Sequence, residues 1–100
     1  MKERNVRVSP AAQNDFLDIK DHLFTLSPEA AGEYYELLME KISILAKAPD
    51  SNPLARDTQL RLRGYRVLPI YDYIAFYAIR GNTVELRRIL YAKRQYEQLL

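Results

Sequence analysis

The pattern of apolar residues changes near residue 60, and this change constrains the fold more than any other feature. Before that point, apolar residues recur every three or four positions along two long segments. After it, aromatic and β-branched residues fill short segments that are separated by turn residues. The first spacing is typical of helices that bury one face, and the second is typical of strands. We therefore predict a helical first half packed on a sheet that the second half mainly forms.

Two Ser-Pro pairs predict where the helices begin. Ser9-Pro10 and Ser27-Pro28 each offer a hydroxyl that can accept a hydrogen bond from the first turn, followed by a proline that loses no helical bond there. A short alternating strand at 5–8 precedes the first helix, and the second helix should end before Pro49. The short junction at Ser27 favours an antiparallel helical hairpin.

The segment around Leu60 is predicted to begin the strands of the second half of the chain. Residues 49–59 contain prolines and small polar residues and predict a loop. Leu60 and Leu62 then alternate with Arg61 and Arg63, as in a strand. Gly64 interrupts this alternation, which predicts a bulge or a tight bend.

The remaining strands follow from aromatic content and turn residues. Pro69 places its strand near an edge or a strand end, because proline cannot donate a ladder hydrogen bond. Residues 73–79 predict a central strand, and a hairpin turn at Gly81 leads to a last strand at 83–91. We expect the core to include Phe16, Leu38, Ile42 and Ile74.

Composition restricts the class of protein. One hundred residues, 48% of them apolar and 28% charged, predict one globular domain over residues 1–100. Cysteine is absent and His22 is the single histidine, so we expect no disulfide, no metal site and no cofactor. The first residues lack the apolar run of a secretory signal, and no apolar stretch is long enough to span a membrane, so we expect a cytoplasmic protein.

Charge is distributed unevenly along the chain. Residues 1–55 hold six Lys/Arg and nine Asp/Glu, a net −3, whereas residues 56–100 hold nine and four, a net +5. This asymmetry fits either an acidic partner for the second half or arginines that only solubilise a sheet face. The cationic candidates are Arg61, Arg63, Arg66, Arg87, Arg88, Lys93 and Arg94, with Tyr65, Tyr91 and Tyr96 interleaved.

These residue types suit phosphate chemistry. Guanidinium groups bind phosphate and stabilise charge that develops on it, and tyrosines stack on bases or donate protons. Cleavage of RNA through its own 2′-hydroxyl needs only a base, an acid and a cation, so metal-free cleavage is one interpretation. Packing is the alternative role for the tyrosines. Arg87 and Arg88 are neighbours on a strand and should point to opposite faces, so at most one of them belongs to such a site.

Four segments together resemble the RelE/ParE superfamily of type II toxin–antitoxin toxins, also called plasmid stabilisation proteins. They are VRVSPAA at 6–12, SPEAA at 27–31, GYRVL at 64–68 with YIAFY at 73–77, and VELRRILY at 84–91 followed by KRQYE. The resemblance implies an α+β fold of order β-α-α-β-β-β, with a helical hairpin on a twisted antiparallel sheet and a short C-terminal helix or tail. It also implies a growth inhibitor that a cognate antitoxin neutralises, with which it can form a hetero-oligomer.

Two activities occur in this superfamily: RelE-like members cleave mRNA on the ribosome, and ParE-like members poison DNA gyrase. Arg66 matches the sheet arginine of the nuclease branch, and Arg94 and Tyr96 lie near its C-terminal catalytic positions. The other candidates, Arg61, Arg63, Arg87, Arg88 and Lys93, would bind nucleic acid or the target. The ending, an aromatic residue followed by Leu99-Leu100, is closer to the ParE-like branch, which we favour. The endoribonuclease and a non-toxic relic that only binds its antitoxin are the alternatives.

Overall fold

The chain folds in the predicted order, with one short helix added. The computed structural model describes residues 4–92. The elements, in chain order, are β1 Asn5–Val8, α1 Pro10–Leu26, α2 Pro28–Lys47, a 3₁₀ turn Pro49–Ser51, α3 Thr58–Leu62, β2 Tyr65–Ile70, β3 Tyr73–Arg80 and β4 Thr83–Tyr91. The predicted α+β class and the helical hairpin on a sheet are confirmed. The predicted C-terminal helix or tail lies outside the described residues.

Both Ser-Pro pairs begin helices, as predicted. The Ser9 Oγ accepts a hydrogen bond from the Ala12 N–H at 3.0 Å, and the Ser27 Oγ accepts one from the Ala30 N–H at 3.2 Å. The proline after each serine occupies the first helical turn. Ser27 both ends α1 and caps α2, so the chain reverses within one residue and the two helices form a tight hairpin.

The sheet has the strand order β1-β4-β3-β2. β2, β3 and β4 are antiparallel neighbours, as predicted, whereas β1 pairs with β4 in parallel. A parallel pair requires a long connection, and the helices and the two intervening strands provide it. β2 is an edge strand, in agreement with Pro69, and β3 lies between two neighbours, in agreement with the predicted central strand.

The strand predicted to start at Leu60 is wrong, because this segment is α3. The Asp57 carboxylate accepts a hydrogen bond from the Leu60 N–H at 3.0 Å and so caps this short helix. Leu60 is buried, but Leu62 is 77% exposed, so the two leucines do not share a face. Gly64, with φ +82°, then turns the chain into β2, as the predicted bend requires.

Each face of the sheet carries an apolar core. The helical hairpin covers the first face, where Leu38, Leu45, Tyr77 and Leu86 are buried. α3 and the preceding loop cover part of the second face, where Leu60 packs with a group formed by Ala55, Tyr65, Phe76, Ala78 and Leu90. Of the predicted core residues, Leu38 is buried, and Phe16, Ile42 and Ile74 are half-buried. Between residues 4 and 92, no helix has the length and apolar character needed to cross a membrane.

Candidate functional site

Arg66, the residue with the strongest sequence case for catalysis, holds a loop in place. It lies on β2, and its Nη1 donates to the Asn52 carbonyl at 2.6 Å and to the Asp50 carbonyl at 3.3 Å. Leu54 forms an isolated antiparallel bridge with Arg66, so backbone and side chain hold the same segment. The charged Arg66 guanidinium therefore satisfies two loop carbonyls at once, and these hydrogen bonds stabilise the loop.

Tyr77 holds the same loop from inside the core. Its hydroxyl donates to the Pro49 carbonyl at 2.6 Å, and the side chain is fully buried. Burial raises the pKa of Tyr77 above its ordinary value, while a side-chain hydrogen bond with Asn52 and the nearby Arg66 charge act in the opposite direction. Because Tyr77 and Arg66 both bind loop carbonyls, this polar cluster joins the end of α2 to the sheet.

Three arginines, Arg61, Arg63 and Arg80, lie near the turn from α3 to β2, and we call this region the basic end. The Arg63 guanidinium lies 5.2 Å from the centre of the Tyr65 ring, a cation–π distance. Arg80 Nη2 donates to the Arg63 carbonyl at 3.3 Å, which brings a second guanidinium to the last turn of α3. Arg61 is exposed on the same short helix. The sequence predicted Arg61 and Arg63 as binding residues, and the fold places Arg80 beside Arg63.

An apolar groove of about 400 Å³ opens between the two helices and β4. Leu86 and Ile89 of β4 form part of its lining, and Phe16 meets Tyr35 edge to face with ring centres 5.4 Å apart. Several large apolar side chains on its lining keep a third or more of their surface exposed, namely Val8, Leu17, Tyr35 and Met39. Such a concentration of exposed apolar surface on a small protein indicates a binding surface.

Four tyrosines from α2, the β2–β3 turn, β3 and β4 form a row. The ring centres of Tyr71 and Tyr34 are 5.9 Å apart, those of Tyr34 and Tyr73 are 5.6 Å apart, and those of Tyr73 and Tyr91 are 5.8 Å apart. The Tyr34 hydroxyl donates to the Ile70 carbonyl at 2.8 Å. Burial, assisted by the charge of Asp72, raises the pKa of Tyr34 and of Tyr73. We call these four residues the tyrosine row.

Comparison with known proteins agrees with this architecture. The family model for the ParE toxin of the type II toxin–antitoxin system parDE matches residues 6–96. This chain belongs to the ParE toxin family. A solved structure of the chromosomal ParDE toxin–antitoxin system from P. aeruginosa shares its fold, with a TM-score of 0.76, 19% identity, and coverage of 91% of this chain and 98% of that chain. No curated protein matches the sequence significantly.

In this ParE-family toxin, Arg88 is paired and Arg87 is exposed. Arg88 Nε and Nη2 donate to the two carboxylate oxygens of Asp15, at 2.7 and 2.9 Å. The pKa of Arg88 is raised above its ordinary value by this hydrogen bonding. Arg87 is the extra residue of a bulge opposite Phe76 and Tyr77 in β3. No local pattern identifies Asp15 as the partner, because 73 residues separate it from Arg88.

The predicted site residues do not form one cluster. Arg61 and Arg63 lie at the basic end, and Arg66 is in the loop cluster. Arg87 is exposed on β4, and Arg88 lies on β4 beside α1. The other predicted residues are Lys93, Arg94 and Tyr96, and these lie outside the described residues. The groove, the role of Asp15 and the tyrosine row were not predicted from the sequence. The tyrosine row had one local signal in the sequence, the pair Tyr71-Asp72 at a turn where glycine is common.

Proposed function

We propose that this toxin inhibits growth by poisoning DNA gyrase rather than by cleaving mRNA. The observation that carries the proposal is the 2.6 Å hydrogen bond from Arg66 Nη1 to the Asn52 carbonyl. A nuclease of the RelE type would direct this guanidinium at the scissile phosphate. Here the same nitrogen is used within the protein, where it holds the loop between α2 and α3.

The tyrosines around the core are also poorly suited to act as general bases. Tyrosine hydroxyls are ordinarily protonated at neutral pH, and burial raises the pKa of Tyr34, Tyr73 and Tyr77 still further. A general base works best when its pKa lies near the operating pH. These three residues are therefore poor candidates for removing a proton from a 2′-hydroxyl.

We further propose that an antitoxin segment binds in the apolar groove. The structurally similar P. aeruginosa protein comes from a ParDE toxin–antitoxin system, and the groove offers an amphipathic helix a row of exposed apolar contacts. Lys20 Nζ lies 5.8 Å from the centre of the Tyr35 ring at this surface, where it can pair with an acidic residue. An acidic, partly disordered segment would fold as it binds.

Expression of the toxin without an antitoxin tests the proposed activity. We expect growth arrest with broken DNA and an induced DNA-damage response, while full-length mRNA persists. Loss of full-length mRNA without DNA breakage would contradict the proposal and support the endoribonuclease. No growth arrest from a folded protein would support a relic that only binds its antitoxin.

Arg66→Ala separates a structural from a catalytic role. We expect it to lower the melting temperature and to leave the activity per folded molecule nearly unchanged, because it removes a loop contact and no reacting group. Arg61→Ala, which removes an exposed arginine, is the matched control for melting. A folded Arg66→Ala protein that keeps the wild-type melting temperature and loses activity by about a hundredfold would instead place Arg66 at a reacting phosphate.

A further inference from the structure

Tyr71 occupies a backbone position that favours glycine. β2 and β3 are joined by a two-residue turn, Tyr71-Asp72, since Ile70 pairs with Tyr73. β3 and β4 are joined by another, Gly81-Asn82. The first residue of each turn has a positive φ, +54° at Tyr71 and +60° at Gly81. Glycine takes this conformation without a steric cost, but a bulky side chain does not. The Gly81 turn therefore shows that a turn of this shape favours glycine at its first position.

Packing of the Tyr71 ring accounts for little of this choice. The ring contacts Tyr34, but Tyr71 remains 77% exposed. An exposed ring contact of this kind offsets only a small part of the free-energy cost of the strained backbone at Tyr71. Strained residues persist where the surrounding structure imposes them, and they concentrate at functional surfaces. The strain at Tyr71 therefore indicates that an exposed aromatic ring is needed at this position.

The tyrosine row continues from Tyr71 to a second exposed ring. Tyr73 and Tyr91 face each other across β3 and β4, and Tyr91 is 40% exposed. Beside them is a cavity of about 160 Å³, lined on the α1 side by Asp18 and His22. The cavity lining includes a second carboxylate, that of Asp15, which already binds Arg88. Among residues 4–92, no lysine or arginine lines the cavity, so Asp18 and the tyrosine faces set the electrostatic character of this part of its wall.

We propose that the tyrosine row, with Asp18 and Asp72, is the surface through which this toxin binds its protein target. The row would receive an arginine or lysine side chain of that target. Aromatic faces and carboxylates both attract such cations, and the cavity has room for a guanidinium group. Asp18 and Asp72 repel phosphate, which favours a protein partner over the DNA backbone. The inference rests on the proposed action on DNA gyrase.

On α1, this surface lies apart from the groove assigned to the antitoxin, although Ile89 of β4 borders both. The groove is lined by Gln13, Phe16 and Leu17 on one side of α1, and the cavity is lined by Asp18 and His22 on the other. A variant of the tyrosine row can therefore lose target binding and keep antitoxin binding. This separation makes the two proposals distinguishable.

Tyr71→Gly is the decisive variant, because it removes the ring and the strain together. We expect it to melt at or above the wild-type temperature, and above Tyr71→Ala by about 5 °C, since alanine keeps the strain. We expect its growth inhibition and its inhibition of purified gyrase to fall at least tenfold. Co-expressed antitoxin should still co-purify with it. Asp18→Asn should weaken gyrase binding without changing the melting temperature.

Several results would overturn this inference. Tyr71→Gly with full toxicity would remove the row from the target surface, and a melting temperature clearly below that of wild type would show that ring packing explains Tyr71. Wild-type protein that self-associates while Tyr71→Gly is monomeric would identify a second copy as the occupant. If wild-type toxin leaves gyrase unaffected but still arrests growth, the gyrase proposal fails, and the toxicity of Tyr71→Gly still decides the role of the row.

Discussion

Removal of the Asp15 carboxylate should destabilise the toxin more than any other single change on the surface of α1. β1 pairs with β4 only as far as Leu86, and beyond this point the start of α1 covers the edge of β4. The Ser9 N–H and Oγ donate to the Leu86 and Arg87 carbonyls, and Asp15 accepts from the Ile89 N–H at 3.0 Å. The same carboxylate binds Arg88 through two further hydrogen bonds.

The expected magnitude follows from burial and from the number of bonds lost. The side chains of Asp15 and Arg88 are 11% and 21% exposed, so Asp15→Ala leaves a guanidinium and an amide with little water. Breaking a fully buried pair costs about 3–5 kcal/mol, and hydrogen bonds to charged groups contribute about 1.5–3 kcal/mol each. Because this pair keeps some solvent contact, we expect a loss of about 2–3 kcal/mol, or roughly 10–20 °C in melting temperature.

Chemical denaturation of purified variants measures this loss. Asp15→Asn should lose less than Asp15→Ala, because its amide oxygen can still accept from the Ile89 N–H. Asp18→Ala, at an exposed aspartate on the same helix, is the control and should change stability by less than about 0.5 kcal/mol. If Asp15→Ala is as stable as Asp18→Ala, the carboxylate does not hold α1 to the edge of β4 and our account of this edge is wrong.

Three further predictions concern stability. Tyr34 and Tyr77 have pKa values raised above the ordinary 10.0, so the folded state binds more protons at high pH, and stability should be full below pH 10 and fall above it. Equilibrium unfolding in denaturant between about pH 8 and pH 11 checks this, and Tyr34→Phe should make the decline shallower. Gly64→Ala should cost about 1–2 kcal/mol, because φ is +82° there. Gly32→Ala should raise stability by about 0.5–1 kcal/mol, because Gly32 lies within α2 and an added Cβ meets no atom within 4 Å. Thermal melting of the Gly64→Ala and Gly32→Ala proteins tests both predictions.

Local signals predicted most of the fold. Ser9-Pro10 and Ser27-Pro28 each combine a capping hydroxyl with a proline, so the helix starts depend only on neighbouring residues. The turn at Gly81 and the edge position of the Pro69 strand follow from backbone chemistry in the same way. α3 was missed because its alternating leucines and arginines resemble a strand over so few residues. The Asp57 cap was the signal that distinguishes the two structures.

The candidate binding surfaces were harder to predict because they depend on contacts between distant parts of the chain. Arg66 binds carbonyls 14 and 16 residues away, and Arg88 finds its carboxylate 73 residues away. Residue type alone placed both arginines among the candidates for phosphate binding. Only the fold reveals that each has a partner within the protein, and that exposed tyrosines and an apolar groove are available for binding.

Incubation of the purified toxin with DNA gyrase and supercoiled plasmid tests the central claim most directly, with a full-length mRNA and ribosomes in a parallel reaction. Linear DNA released after protein denaturation reports gyrase trapped on cleaved DNA, and gel analysis reports intact mRNA. We predict toxin-dependent linear DNA, its suppression by the cognate antitoxin, and unchanged mRNA. Unchanged plasmid together with cleaved mRNA would contradict the account and identify the toxin as a ribonuclease.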